Sequence, residues 1–220
     1  SNNLKLKSSL SADRETQSSY TVTVDVNDGT DTTSQSFTIS VGDVNEAPTL
    51  TVPTGGSVTE DASTSTITGS LTSSDPENDT PSYSVVGATS TDGSYTVTGS
   101  YGTLVLNAAT GAYTYTLNNT ATAVQTLGGS SSVTETFSVQ VTDGPNTPDA
   151  QSLSFTIQGA NDAPSAPTLD NSAIDENIAG DTVGTLSSTD AESDSVSYTI
   201  ADSGDGGSFE IDGSTLKLKD

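Results

Sequence analysis

Apolar and polar residues alternate along several stretches of this chain, with the period of two that is expected of strands burying one face. Six runs carry the pattern most clearly: residues 20–26, 36–41, 103–106, 112–117, 136–141 and 153–157. Asp-Gly pairs, which are typical of tight turns, occur at residues 28–29, 92–93, 143–144 and 212–213. Because no segment has a convincing helical period, the sequence predicts an all-β sandwich built from many short strands.

The chain also repeats itself at an offset of roughly 115 residues, which suits one small β-domain per repeat. Three pairs of segments align: residues 187–200 with 72–85, residues 161–164 with 45–48, and residues 143–144 with 28–29. Separately, the two ends match, since residues 4–7 and 216–219 both have the sequence Leu-Lys-Leu-Lys, which is expected of one strand in two copies of a domain. We therefore predict one complete domain between two incomplete ones: a C-terminal part at residues 1–48, the complete domain at residues 49–164, and an N-terminal part at residues 165–220. The incomplete parts are expected to expose unpaired strand edges.

Composition and charge exclude several classes of function. The 220 residues include 29 Asp and Glu but 5 Lys and Arg, so the net charge is −24, and there is no His, Cys, Met or Trp. Without His or Cys the chain cannot build a Ser-His-Asp triad, a cysteine nucleophile, an ordinary zinc site or a disulfide. The negative charge repels nucleic acid and anionic membranes, and no apolar run is long enough to span a bilayer. We expect no nucleic-acid partner and no membrane insertion of this segment.

The negative charge has almost no counter-charge within the chain. A hydrophobic content of 30% together with a high net charge is typical of disorder, but the alternating pattern opposes that interpretation. No Lys or Arg occurs between Glu15 and Leu216, so internal salt bridges cannot neutralise the middle of the protein, whereas cations can. The chain starts at Ser1 without a signal pattern, and we expect it to be a piece of a longer protein.

The acidic residues recur in an order that suits a metal with oxygen ligands. Four motifs recur: an acidic pair at 60–61 and 175–176, Asp-x-Glu at 75–77 and 190–192, Asp-Gly at 28–29 and 143–144, and Asn-acid-Ala-Pro at 45–48 and 161–164. Ca²⁺ takes carboxylate, amide and carbonyl oxygens. Residues two apart on an extended chain point to the same side, and a linker proline cannot continue a strand ladder. Linker acids can therefore offer ligands between two domains. Glycosidases also use two carboxylates, but the motifs account for all the recurring ones, so we expect no enzyme.

The ordered motifs resemble the calcium motifs of cadherin-like domains, in residues 13–15, 28–29, 43–48, 175–177 and 190–192. The middle domain resembles a VCBS repeat, in residues 58–61, 75–77, 101–107, 111–117, 123–127, 141–144 and 159–164. Together the two resemblances cover nearly the whole chain. They imply Greek-key sandwiches of the cadherin-like or immunoglobulin-like type, strung end to end with Ca²⁺ in the junctions. Such arrays are typical of very large bacterial surface adhesins, often of the RTX type exported by type I secretion.

The resemblance implies a set of calcium ligands and an inequality between the two junctions. At the first junction we expect Asp13, Glu15, Asp43, Asn45, Glu46, Asp75, Glu77 and Asp143. At the second junction we expect Glu60, Asn161, Asp162, Asp190 and Glu192, and further candidates in the repeated motifs are Asp28, Asp61 and Glu176. The middle domain has Leu-Gly-Gly-Ser at 127–130 in place of Asp-Arg-Glu, and Gly159 in place of Asp43. We therefore predict more or tighter Ca²⁺ at the first junction.

The main functional prediction is an extender segment of a bacterial cell-surface adhesin that Ca²⁺ stiffens, supporting adhesion and biofilm formation. Its partners would be neighbouring domains of the same long chain, and other domains would contact carbohydrate or a host or biofilm surface. The alternative is a module that itself binds glycan or protein, for which Tyr95 and Tyr101 are candidates for stacking on sugar. The predicted location is extracellular. Asp92 and Asp212, in contrast, are expected to serve only as turn residues.

Overall fold

The computed structural model describes residues 3–146, 148, 150–201 and 203–219, and nearly all of its regular structure is β. The strands are β1 Ser19–Asn27, β2 Thr32–Ser40, β3 Thr49–Thr51, β4 Ser57–Thr59, β5 Thr66–Ser70, β6 Thr72–Ser74, β7 Ser82–Val85, β8 Ser90–Thr91, β9 Ser94–Thr98, β10 Gly102–Asn107, β11 Ala112–Leu117, β12 Ser132–Thr142, β13 Gln151–Gln158, β14 Thr168–Leu169, β15 Thr182–Ser187, β16 Phe209–Asp212 and β17 Thr215–Leu218. One helix, α1 Thr122–Gln125, and one 3-10 turn, Gly206–Ser208, interrupt them. The predicted all-β fold class is confirmed. A single helical turn is too short to leave a period in the sequence. None of the described helices is long and apolar enough to cross a bilayer.

Two sheets face each other in the middle of the chain. One sheet has the strand order β5-β11-β10-β9-β8, and the other has the order β4-β13-β12-β7. All of these neighbours are antiparallel except β13 and β4, which run parallel. The short β3 and β6 form a separate pair beside them. Non-consecutive neighbours within both sheets give the sandwich its crossing connections.

The core between these sheets consists of aliphatic side chains around a group of aromatic rings. Tyr115 and Phe155 come from opposite sheets and stack with ring centroids 4.3 Å apart and an interplanar angle of 12°. Phe137 and Tyr113 approach the same pair at 5.8–6.2 Å in tilted or edge-on geometry. The alternating residues of β10 to β13 supply this layer, because every second side chain points inward. Full burial of such side chains contributes about 1.5–3 kcal/mol each.

A buried carboxylate ties the core to a neighbouring loop. Glu135 on β12 is 7% exposed, and its carboxylate accepts hydrogen bonds from the Tyr115 hydroxyl at 2.7 Å and from the Tyr101 amide at 3.0 Å. The Ser100 amide donates to the same carboxylate. Burial, reinforced by the bond to Glu135, raises the pKa of Tyr115. These donors satisfy a group that would otherwise cost several kcal/mol to bury.

The outer parts of the chain form smaller sheets. β1 and β2 form an antiparallel hairpin, and β14, β15, β17 and β16 form a four-stranded sheet in that order. The hairpin turns at Asp28-Gly29, where Gly29 has φ of 101° and the Asp28 carboxylate accepts the amides of Thr30 and Asp31 at 2.9 and 2.8 Å. Among the described residues, Val183 is the only buried hydrophobic residue outside residues 50–157.

Candidate metal centres at the two linkers

The first linker, residues 43–48, connects β2 to β3 and meets two loops of the middle sandwich. Asp75 follows β6 directly, and Asp143 follows β12 directly, so the ends of two strands bring their carboxylates to this linker. Asn45 donates its side-chain amide to Asp143, and the Asn146 side chain donates to the Asn45 carbonyl at 2.9 Å. Desolvation opposes ionisation of Asp143, but hydrogen bonds from the Asn146 amide and the Asn45 side chain outweigh it and lower its pKa.

Asp75 organises the loop that faces the linker. Its Oδ1 atom accepts the amides of Glu77 and Asp79, each at 3.0 Å, and Asn78 adopts a left-handed φ of 61° to close the turn. The prediction that Asp75 and Glu77 face one side of an extended chain is therefore wrong, because they lie in a turn built around the Asp75 carboxylate. The turn leaves Asp75 Oδ2 and Glu77 Oε1 buried, with no hydrogen-bond partner among the described residues.

Three glutamates converge at the first linker. Carboxylate oxygens of Glu15, Glu46 and Glu77 lie within 4.8 Å of one another. The Glu46 amide also donates to Glu77 Oε2 at 3.3 Å. Sharing a hydrogen bond with the Glu77 carboxylate, together with desolvation and the charge of Glu77, raises the pKa of Glu46 to about 7. Like charges held this close favour a shared proton or a bound cation.

The segment before β1 supplies the remaining charges of the first linker. Asp13 accepts hydrogen bonds from the amide and the hydroxyl of Thr16, both at 3.0 Å. These bonds, the one from the amide most of all, lower the pKa of Asp13. Arg14 forms an ion pair with Asp43, and both side chains are about half exposed. The hydrogen bond to Asp43 raises the pKa of Arg14. Arg14 thus occupies one carboxylate of the linker.

The second linker, residues 159–164, repeats the Asp-x-Glu turn and its hydrogen bond from the linker amide. The Asp162 amide donates to Glu192 Oε1 at 3.1 Å, as Glu46 does to Glu77. Asp190 Oδ1 accepts the amides of Glu192 at 3.2 Å and Asp194 at 3.0 Å, and Ser193 has the left-handed φ of 65°. Two carboxylate oxygens again lack a hydrogen-bond partner within the described chain although they are buried: Asp162 Oδ2 and Glu192 Oε2. Asn161 donates its side chain to the Asp162 carbonyl at 2.8 Å, matching Asn45 and Glu46.

Glu60 joins the second linker from the far end of the middle domain. It is 2% exposed, and its carboxylate accepts Gln125 Nε2 at 2.8 Å and the Ala160 amide at 3.1 Å. Burial raises its pKa. The next residue, Asp61, is exposed in a left-handed conformation with φ of 53°. Burial first, and then the charges of Glu192 and Asp61, raise the pKa of Asp162.

The second linker differs from the first in close backbone packing. A Cβ atom on Gly159 would lie 2.2 Å from the Leu127 carbonyl oxygen, so no side chain fits there. The Gly159 amide donates to the Ser131 carbonyl at 2.9 Å, and Gly128 lies against the Glu192 side chain. The Leu-Gly-Gly-Ser segment therefore fills, with backbone, the space that corresponds to Asp13, Arg14 and Asp43 at the first linker.

Two predicted ligands lie away from both linkers. Asp28 is in the turn of the β1–β2 hairpin, whose paired strands separate it from the first linker by eight residue steps, or about 27 Å. Glu176 is exposed in the loop before β15, and Asn177 after it has a φ of 69°, much as Asp61 follows Glu60. These positions correspond to the ends of their segments that face away from the two linkers.

Some site features could not be found in the sequence, and one prediction finds no support. Asn146 supports the first linker through its bonds to Asn45 and Asp143, and its only signal is its position three residues after the Asp of an Asp-Gly turn. Tyr95 and Tyr101, considered for sugar stacking, are partly buried and pack against the core. They do not form an exposed aromatic patch.

The donor set at both linkers is suited to Ca²⁺. All candidate ligands are carboxylate, amide or carbonyl oxygens, which hard cations prefer, and the chain has no His or Cys to favour a softer metal. The strongest support comes from the buried carboxylate oxygens that have no hydrogen-bond partner among the described residues, because burying such an oxygen without a partner is costly and a cation would remove that cost. At the first linker, Glu15, Glu46, Asp75, Glu77 and Asp143 would hold the ion. At the second linker, Glu60, Asp162, Asp190 and Glu192 would do so.

Comparisons with known proteins agree with this architecture. Residues 45–159 match the family model of the bacterial cadherin-like domain. Protocadherin gamma B2 extracellular cadherin domains 1-5 superimpose with a TM-score of 0.51 at 16% identity, covering 94% of this chain and 39% of that one. Mouse protocadherin-24 EC1-3 gives a TM-score of 0.49 at 17% identity, covering 94% and 68%. This chain spans about half the length of the protocadherin gamma B2 domains 3-6 and gamma B7 EC3-6 structures. A comparison with curated proteins finds no match.

Proposed function

This chain belongs to the bacterial cadherin-like domain family, and from that premise we propose that it is an extender segment stiffened by Ca²⁺ at its two linkers. The family consists of adhesion-type domains rather than enzymes. The observation that carries the proposal is that each linker holds two buried carboxylate oxygens without a hydrogen-bond partner among the described residues, on Asp75 and Glu77 at the first and on Asp162 and Glu192 at the second. The chain has 29 acidic but 5 basic residues, so it supplies few positive charges of its own to these oxygens, and a divalent cation would supply them.

The proposed mechanism is mechanical. The linker amides and the Asp-x-Glu loops of the following segment already contact each other at both linkers, as Glu46 does Glu77 and Asp162 does Glu192. An ion bound by the linker and by both flanking segments fixes their relative angle, because its ligands come from all three. Ca²⁺ supplies the positive charge that relieves repulsion within the carboxylate cluster. Binding that favours the folded form also adds stability as RT ln(1 + [L]/Kd).

The proposed setting is the outside of a bacterial cell. We propose that residues 1–48, 49–164 and 165–220 are parts of three successive sandwich domains, the middle one of VCBS type, in a large RTX adhesin exported by type I secretion. High external calcium would stiffen the array after export, and the low calcium of a cytosol would leave it flexible. A stiff array would hold a distal ligand-binding domain away from the cell and so support adhesion and biofilm formation.

The experiment is a thermal unfolding comparison in Ca²⁺ and in chelator, with Mg²⁺ as the cation control. We expect Ca²⁺ to raise the melting temperature, and the double variant Asp75→Asn/Asp190→Asn to remove most of that rise. Asp92→Asn is the matched control, because Asp92 lies in the β8–β9 turn with a φ of 50° and contacts neither linker. An equal melting temperature with Ca²⁺ and chelator would contradict the proposal.

A further inference from the structure

Glu60 is the most deeply buried of the candidate ligands at the second linker, and its main chain is fixed by the middle sandwich. It follows the short strand β4 directly. Its amide donates to the Gln158 carbonyl at 2.9 Å, which continues the pairing of β4 with β13. The sheet therefore sets where this side chain begins, but not where its carboxylate points.

Two uncharged donors orient the Glu60 carboxylate, one on each oxygen. Gln125 Nε2 lies 2.8 Å from Glu60 Oε1, and the Ala160 amide nitrogen lies 3.1 Å from Glu60 Oε2. A carboxylate oxygen has two lone pairs, so each of these oxygens keeps one lone pair for a cation. The two hydrogen bonds thus fix the carboxylate without using up its capacity to bind an ion.

Gln125 is itself held in place by α1 and by the core of the middle sandwich. It is the last residue of α1, and its neighbour Val124 is fully buried. The amides of Val124 and Gln125 both donate to the Ala121 carbonyl, at 2.9 and 3.0 Å. Gly128, three residues further on, lies against the Glu192 side chain. The core therefore gives the Gln125 side-chain amide a defined position beside the second linker.

The carboxylates of Glu60, Asp162 and Glu192 are neighbours in charge as well as in position. Burial first, and then the charge of Asp162, raise the pKa of Glu60, and burial followed by the charge of Glu192 raises the pKa of Asp162. Asp162 and Glu192 each hold one buried oxygen without a hydrogen-bond partner among the described residues. Ionised Glu60 is repelled by this group, so the bonds from Gln125 and Ala160 are what keep it there.

We propose that Gln125 is a positioning residue for Ca²⁺ at the second linker: it presents the Glu60 carboxylate to an ion that Asp162 and Glu192 also bind. The inference rests on the proposed calcium function and adds to it a residue that does not itself touch the ion. Hydrogen-bond partners of a metal ligand typically contribute about 10–100-fold to metal affinity. The affinity of the second linker is therefore set partly by α1 of the middle domain.

The test is a calcium titration of the ¹⁵N-labelled full chain by NMR, with one backbone amide as the reporter of each linker. The Asp162 amide donates to Glu192 and reports the second linker, and the Glu46 amide donates to Glu77 and reports the first. Gln125→Met keeps the length and helix propensity of glutamine but has no donor. It should weaken the affinity measured at the Asp162 amide by about 10-fold or more and leave that at the Glu46 amide unchanged.

Two further variants separate positioning from the loss of a hydrogen bond as such. Gln151→Met removes a side-chain amide bond of nearly the same length, the one to the Leu50 carbonyl at 2.9 Å, which involves no candidate ligand. It should leave the affinities of both linkers unchanged. Gln125→Asn keeps the amide but withdraws it by one methylene group, and it should weaken the second linker as Gln125→Met does.

The exchange Glu60→Gln/Gln125→Glu tests whether the role of Gln125 is only structural. It preserves the net charge, and it restores the hydrogen bond with its direction reversed, because the amide at position 60 donates to the carboxylate at position 125. We expect the melting temperature in chelator to recover from the loss in Gln125→Met. Calcium affinity at the Asp162 amide should stay low, since the carboxylate has moved onto α1.

The outcomes distinguish this inference from the calcium proposal on which it rests. Unchanged affinity at the second linker in Gln125→Met, an equal loss at the Glu46 amide, or recovery of affinity in the exchange variant would overturn this inference and leave the calcium proposal standing. A wild-type chain in which neither the Glu46 nor the Asp162 amide shifts with Ca²⁺ would overturn the calcium proposal, and this inference with it.

Discussion

The first and second linkers share one backbone design but carry different chemistry. Both place an acidic residue after Asn so that its amide donates to the Glu of an Asp-x-Glu turn. At both, two buried carboxylate oxygens have no hydrogen-bond partner in the part of the chain that the structure describes. The first linker adds Glu15 and the Arg14–Asp43 ion pair, whereas the second linker has glycine backbone in that space. The comparison teaches that the turn is the constant part of the repeat, and that the number of carboxylates around it is varied separately.

The largest expected effect is on calcium affinity at the first linker. Glu77→Gln removes a carboxylate from the three-glutamate cluster, and we expect it to weaken the tightest calcium binding on the order of 10-fold or more, since ligand charge sets affinity. Glu192→Gln is the matched change at the second linker and should leave the tightest binding unchanged. Calcium titration calorimetry of both variants measures this. Equal losses in the two variants would remove the predicted inequality between the linkers.

A second prediction concerns the close packing that distinguishes the second linker. Gly159→Ala places a Cβ atom 2.2 Å from the Leu127 carbonyl oxygen, so the backbone must shift. We expect it to lower the free energy of unfolding by about 1–3 kcal/mol, as overpacking does. Gly42→Ala, at the residue immediately before the first linker, is the control, because a Cβ atom there would have no neighbour within 4 Å. Urea unfolding in chelator compares them, and equal stability of the two variants would refute the packing argument.

The cause of the raised pKa also differs between the linkers. A hydrogen bond with Glu77 raises the pKa of Glu46 to about 7, whereas burial is the main cause for Asp162. Below pH 7 a proton holds the Glu46 oxygen that Ca²⁺ needs, so affinity at the first linker should fall as pH drops through about 7. In the absence of Ca²⁺, the effect of pH on the stability of the fold has the opposite sign. The protonated pair stabilises the fold below the unfolded pKa of Glu46, and that stability is lost as pH rises through about 7.

Calcium titrations at pH values one unit below and one unit above the pKa of Glu46 measure this dependence. Glu46→Gln removes the titrating group and should flatten the change, although it also weakens binding overall. If the wild type binds Ca²⁺ equally well at both pH values, Glu46 does not share its proton with Glu77 in the way proposed.

The smallest expected effect comes from Arg14. The Arg14–Asp43 ion pair is about half exposed on both sides, and exposed pairs of this kind contribute little to stability. Arg14→Gln should therefore leave the melting temperature in chelator nearly unchanged. It should strengthen calcium binding by a few-fold, because Asp43 is released and a positive charge is removed. Weaker binding would indicate that Arg14 positions Asp43 for the ion rather than competing with it.

The sequence predicted the long strands well, because alternation depends on burial of one face. The six alternating runs fall on β1, β2, β10, β11, β12 and β13, and Ala112–Leu117 matches its predicted bounds. Short strands such as β4 and β7 were not predicted, since two to four residues carry too little pattern and their pairing comes from distant strands. The repeat offset located the acidic motifs because the same Asp-x-Glu turn occurs at both linkers.

Other parts of the site depend on contacts that sequence cannot reveal. Asp75 and Glu77 lie in a turn because the Asp75 carboxylate accepts hydrogen bonds from two amides. The spacing of the two residues in the sequence does not reveal these bonds and predicts an extended chain instead. The tight packing of Gly159 on Leu127 joins residues 32 positions apart, and only the folded backbone explains why no carboxylate stands there. Asn146 donates a hydrogen bond to Asn45, and Gln125 donates one to Glu60. Neither role can be predicted from the sequence.

The most direct test of the account is small-angle X-ray scattering of the full chain at low concentration, in Ca²⁺ and in chelator. We predict a longer maximum dimension and lower flexibility with Ca²⁺, lost in Asp75→Asn/Asp190→Asn and retained in Asp92→Asn. Scattering curves that are identical with and without Ca²⁺ would contradict the claim that calcium at the linkers stiffens this protein.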